Sequence, residues 1–200
     1  MRSILIISLI CFTHALSAQT LKTDSLTKQQ KLTSSFLKKT EGAAMSAKDD
    51  IVTNVSHSPE LSIFYKALQN ADLTETFKSK GPITVFAPNN QAFLGVMENK
   101  MDTLSRADHK YDLIALLTYH AIPGLMTSKD LVHAINSNKG IATFTTIGGA
   151  KLTAKLDGNR NILLIDENGG QSVISRFDLQ QNNGVIFIIN SLLVPKFKNI

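Results

Sequence analysis

The order of patterned segments predicts an α+β fold, with helices first and a mostly antiparallel strand region after them. Three observations predict it. Apolar residues recur at helical spacing over most of the stretch from Asp50 to Ile135. From Ile141 onward the period changes to two. Near the end, Val185 to Ile189 is almost wholly apolar, as expected of a strand covered on both faces. Segregation of this kind argues against a βαβ alternation, and no internal repeat or second domain is visible.

The elements follow in order. Ser58-Pro59-Glu60 suits a helix start, because proline sits where its missing N–H does least harm. Leu61, Phe64, Tyr65 and Leu68 then share one face of an amphipathic helix. A second short helix carries Leu73 and Phe77, and Gly81-Pro82 breaks the pattern. Ile83 to Ala87 reads as a buried strand ended by Pro88. Asn89 or Asn90 caps a helix through Phe93 and Met97. The next helix is expected from Tyr111 to Ala121, with Leu113, Leu116, Leu117 and His120 on one face and Pro123-Gly124 as the stop. Thr127 or Ser128 caps a short helix carrying Leu131 and Ile135. Leu152, Ala154 and Leu156 alternate with polar residues, and Asp157-Gly158-Asn159 signals a hairpin returning through Ile162 and Leu164. Glu167 to Gly170 turns the chain into a strand from Val173, and Leu192 to Pro195 closes the domain.

Residues 1–18 have the order of a secretory leader: Arg2, an apolar run from Ile4 to Phe12, then the small residues Ala15, Ser17 and Ala18. The run is too short to span a bilayer of about 30 Å as a helix. Export to the periplasm, outer surface or medium is therefore expected, with no transmembrane anchor. Residues 19–47, rich in Ser, Thr, Lys and Gln, read as a polar linker. Residues 48–196 read as the domain and 197–200 as a tail. The single cysteine, Cys11, falls in the leader, so the domain must hold without disulfides.

The formal charge of +5 favours acidic surfaces such as polysaccharide or anionic lipid. The basic residues are dispersed and no recognised motif accompanies them, which argues against nucleic acid. His57, His109, His120 and His133 show no metal-helix spacing, so neither metal nor cofactor is expected. Asp157, Asn159 and Asn161 fail as a calcium loop, because Ile162 stands where glycine is needed and Asn168 where a bidentate glutamate belongs. No Gly-x-Ser-x-Gly elbow or phosphate-binding glycine loop appears, so nothing recommends an enzyme such as a hydrolase.

Three motifs carry a family resemblance. Thr84-Val85-Phe86-Ala87-Pro88-Asn89-Asn90-Gln91-Ala92-Phe93 resembles the first signature of the fasciclin domain family. Asn183-Gly184-Val185-Ile186-Phe187-Ile188-Ile189-Asn190, followed by Leu192-Leu193-Val194-Pro195, resembles the second. Between them, Leu117 to Gly124 resembles the family's tyrosine–histidine segment. The resemblance covers residues 48–196 and implies a wedge-like β-sandwich with helices packed along it. It implies adhesion through contact with a cell-surface or matrix protein or a polysaccharide. Animal members use the Tyr-His segment and an Asp-Ile element for integrin contact, which places the corresponding binding residues here at Tyr119, His120, Asp178 and Leu179. The family usually has histidine where this chain has Phe187, and aspartate where it has Asn190. The short upstream region and single copy look like a bacterial member. Some relatives resemble carotenoid carriers, which makes an apolar small molecule such as a carotenoid or lipid the alternative ligand. Met97, Met101 and Met126 are candidates to line its groove.

Residue chemistry sets expectations for the four positions. His120 continues the apolar stripe and is expected inside, bonded to backbone and tying its helix to the sheet. Tyr119 lies roughly 100° round the helix and is expected at the surface. Asp178 is expected in a turn before Asn182-Asn183-Gly184, accepting that turn's N–H groups. Asn183-Gly184 is expected to supply positive φ.

Overall fold

The computed structural model describes residues 45–79, 81–97 and 109–196. The expected leader, most of the linker and the tail lie outside the described residues, as does Met101. The elements run α1 (Ile51–His57), a 3-10 turn (Pro59–Leu61), α2 (Ser62–Asn70), α3 (Thr74–Ser79), β1 (Ile83–Pro88), α4 (Asn90–Met97), α5 (Lys110–Tyr119), β2 (Ala121–Pro123), α6 (Ser128–Ser137), β3 (Ile141–Thr145), β4 (Lys151–Leu156), β5 (Ile162–Ile165), β6 (Gln171–Gln181) and β7 (Gly184–Ile189). This is the α+β order that the periodicity predicts.

Short polar side chains start the helices by accepting otherwise orphaned N–H groups. Asp50 Oδ1 accepts from Thr53 N–H at 2.9 Å for α1. Asn89 Oδ1 accepts from Ala92 N–H at 2.8 Å for α4. Thr127 and Asp130 form a reciprocal capping box at α6.

The strands form one seven-stranded sheet in the order β2-β1-β7-β6-β5-β4-β3. All neighbours are antiparallel except β1 and β7, which run parallel with Phe86 opposite Phe187. The two signature segments are therefore partners in one ladder. Strand β6 belongs to both halves of the sheet. Residues 171–173 pair with β5, and the rest pairs with β7 across irregularities between Ile174 and Arg176 and between Arg176 and Leu179.

Two apolar cores flank the central pair. Val85, Ala87, Ile186 and Ile188 pack against α1, α2, α3 and α5. Phe86, Val185, Phe187 and Ile189 point the other way, onto Leu152, Ala154 and Leu164 of the β4–β5 hairpin and Leu131 and Ile135 of α6. Every residue of β1 and β7 is buried. That explains why these strands read as continuous apolar runs while β4, covered on one face, alternates. Each large side chain so buried contributes about 1.5–3 kcal/mol.

Two local expectations are corrected. Helix α5 ends at Tyr119 instead of Ala121, and Ala121–Pro123 leaves as β2 to pair with β1. The ladder outcompetes the last helical turn there, and Phe86 N–H donates to His120 C=O at 2.8 Å. Neither Asn183 nor Gly184 has positive φ. Glycine is required at 184 because a Cβ there would lie 2.0 Å from the Ile83 carbonyl oxygen across the parallel ladder. Asn183 instead acts through its side chain, accepting from Ile51 N–H and donating to the Phe77 and Lys78 carbonyls.

Candidate functional site

His120 follows the last turn of α5 and is fully buried. One ring nitrogen, Nδ1, lies 2.8 Å from the Leu116 carbonyl oxygen, and Nε2 lies 3.2 Å from the Leu193 backbone nitrogen. A carbonyl can only accept and a backbone N–H can only donate, so the ring is neutral with its proton on Nδ1. Burial holds its pKa down to about 4, against the opposing pull of the Leu116 bond and Asp166. The ring is bonded to backbone inside as expected, but it ties the helix to the closing segment at Leu193 and not to a strand of the sheet.

Tyr119 is buried, which corrects the expected exposure. Its hydroxyl donates to Lys151 C=O at 2.7 Å and accepts from Glu167 N–H at 3.2 Å. Burial is the main reason that its hydroxyl is pushed well above the ordinary tyrosine range. The second core covers this side of the last turn of α5, so the ring packs inward and its hydroxyl reaches the start of β4 and the β5–β6 turn.

Asp178 does not lie in a turn but within β6, at the irregularity, in a left-handed conformation with φ of 54°. Its carboxylate bonds to neither neighbour in β6. Oδ1 accepts from Ser128 N–H at 2.7 Å, and Oδ2 accepts from the Ser128 hydroxyl. The first turn of α6 is thus neutralised from another element, as the helix dipole favours. On the same strand Arg176 pairs with Glu60 of the 3-10 turn. Leu179 is half-buried and packs against the first core. Asp178 and Leu179 are therefore neighbours that point to different structures.

Beside Asp178, Phe177 is 41% exposed. Its ring stands edge-to-face on Phe187 at 6.4 Å, and Phe187 in turn packs on Phe86 at 5.6 Å. Phe177 lies at a groove of about 600 Å³ between α6 and the start of β5. Val132, Ile162 and Phe177 supply its apolar surface. Lys129 and Arg160 supply its cationic groups, His133 adds an imidazole, and no carboxylate lines it. Among the described residues, no cluster of His, Cys, Asp and Glu is gathered to hold a metal, and no helix is long and apolar enough to cross a membrane.

The fasciclin domain model matches residues 59–195, more than half of the chain and both signature strands. The chain belongs to the fasciclin domain family. It is 29% identical to Protein sll1483 of Synechocystis sp., over 76% of this chain and 77% of that one. It is 29% identical to human periostin over 68% of this chain but only 15% of periostin. Pig transforming growth factor-beta-induced protein ig-h3 matches at 25% identity, over 67% of this chain and 17% of that protein. Among solved structures, the FAS1 domain pair of the insect cell adhesion molecule Fasciclin I aligns with a TM-score of 0.63. At 20% identity over 73% of this chain and 51% of that one, it shows the fold. The fasciclin fold is thus one that an adhesion molecule uses.

Both departures from the fasciclin signature have structural roles here. Phe187 replaces a polar ring with the apolar one that buttresses Phe177. Asn190 keeps an acceptor without the charge, and its Oδ1 accepts from Val173 N–H at 2.9 Å. The groove escapes a reading of the sequence because its residues come from three separated stretches: 128–136, 160–162 and 177. Phe177, an aromatic residue between charged ones, is the one signal that could have drawn attention to it.

Proposed function

We propose that this fasciclin domain is a secreted binding module that contacts a cell-surface or matrix protein or a polysaccharide. The observation that carries the reading is Phe177, an aromatic ring braced by Phe187, exposed beside Asp178 at an open groove. A braced aromatic at the surface offers contact area with little conformational entropy to lose. Asp178 and Leu179 form the strand that presents it. Tyr119 and His120 act as positioning residues, fastening the second core from inside.

Two side chains that could carry chemistry at the expected positions, His120 and Asp178, are committed to the fold. The His120 ring is engaged on both nitrogens, and the Asp178 carboxylate on both oxygens. A presented surface suits this arrangement better than a reactive centre does.

Retention of the purified protein on cell-envelope fractions tests the proposal. Wild type should be retained, and Phe177→Ser should be retained less while melting as a folded protein. Failure of wild type to bind any envelope fraction would defeat the reading.

A further inference from the structure

We infer that the groove between α6 and the β4–β5 hairpin is a binding site for an acidic, carboxylate-bearing polysaccharide. The inference rests on the binding-module reading and names the class of ligand for it.

Charge is the first argument. Lys129 and Arg160 line the groove, and neither makes an ion pair among the described residues. His133 lies beside them, three residues after Asp130 on α6. The nearby carboxylates are all engaged within the fold. Asp130 accepts from Thr127, Asp157 from Asn159 and Asn161, and Asp178 from Ser128. These carboxylates are turned to donors of the fold, and the lining of the groove itself carries Lys129 and Arg160 without an acidic side chain. The N-terminus of α6 is not the anion site, because Asp178 already fills it.

Chemistry of the surface is the second argument. Phe177 presents an aromatic ring to the groove, and such a ring packs against the C–H face of a pyranose. Asn136 and Asn161 bring amides that suit hydroxyl groups, and the Asn161 nitrogen already donates to Asp157, leaving its oxygen as acceptor. Arg160 can bind a carboxylate through two parallel N–H groups.

The test is retention of the purified protein on immobilised polygalacturonate, with neutral dextran as control. Lys129→Gln/Arg160→Asn removes both free cations, and asparagine tolerates the left-handed φ of 65° at residue 160. Wild type should bind polygalacturonate and not dextran. Binding should weaken as salt shortens the screening length from about 10 Å at 0.1 M to about 3 Å at 1 M. The double variant, with unchanged thermal melting, should bind at least about tenfold more weakly. Equal binding by wild type and variant, or none by wild type, overturns the inference. If wild type still binds envelope fractions in that case, the binding-module reading survives and only the ligand class falls.

Discussion

The buried imidazole of His120 accepts a hydrogen bond from the backbone N–H of Leu193, 73 residues further along the chain and 3.2 Å away. The bond exists only while the ring is neutral, because a protonated ring has no acceptor.

A pH dependence follows from that bond. Burial holds the folded pKa at about 4, below the ordinary histidine value of 6.5. Between those values the unfolded chain takes up a proton that the folded chain refuses. His120 therefore contributes its full stability above pH 6.5, and that contribution is lost as the pH falls towards 4. The span corresponds to about 3 kcal/mol. Urea midpoints from pH 7.5 to 4.5 should fall more steeply for wild type than for His120→Gln, which should start lower at pH 7.5. Parallel slopes would show that the ring is not held neutral.

Tyr119→Phe separates a packing role from a contact role. The change removes the donor to Lys151 C=O and the acceptor for Glu167 N–H but leaves the buried ring. Stability should fall by about 1–2 kcal/mol. Binding to envelope fractions by the folded variant should stay as in wild type, since the hydroxyl is engaged inside. A loss of binding without a loss of stability would return Tyr119 to the contact surface.

Much of this architecture was legible in the sequence. Central strands buried on both faces must be apolar throughout, so β1 and β7 stand out, whereas their parallel pairing is a tertiary fact that local pattern does not carry. The helix stripe through Leu113, Leu116, Leu117 and His120 placed the histidine inside correctly. Tyr119 is misplaced because a helical wheel shows which residues share a face, not that the second core covers the other side of the last turn of α5. Asp178 was misplaced for a related reason. Its partner, Ser128, lies 50 residues earlier, and local spacing carries no trace of such a bond. The groove shares this property, being assembled wholly from tertiary contacts.

Asp178 combines a left-handed backbone with a carboxylate that caps α6 from another element. Asp178→Asn keeps an acceptor and tolerates that backbone, so it should cost less than about 1 kcal/mol. Asp178→Ala loses the acceptor and adds backbone strain, and should cost about 2–3 kcal/mol. The difference between the two urea midpoints checks the assignment. Equal effects would mean that the capping bond contributes nothing to stability.

Gly184 is the point where the two signature strands come closest. The residue opens β7 directly opposite Ile83 in β1. A methyl group there would sit 2.0 Å from the Ile83 carbonyl oxygen, a backbone atom held in the ladder, and 3.1 Å from Ile51. No rotamer change relieves such a contact, because the obstacle is main chain. The strands would have to separate, opening both cores at their shared pair. Gly184→Ala should therefore cost at least about 4 kcal/mol, a large fraction of the stability of a domain of this size. The expected outcome is a chain that is insoluble, or that lacks a cooperative melting transition. A folded Gly184→Ala protein within about 1 kcal/mol of wild type would show that the parallel pairing is looser than described.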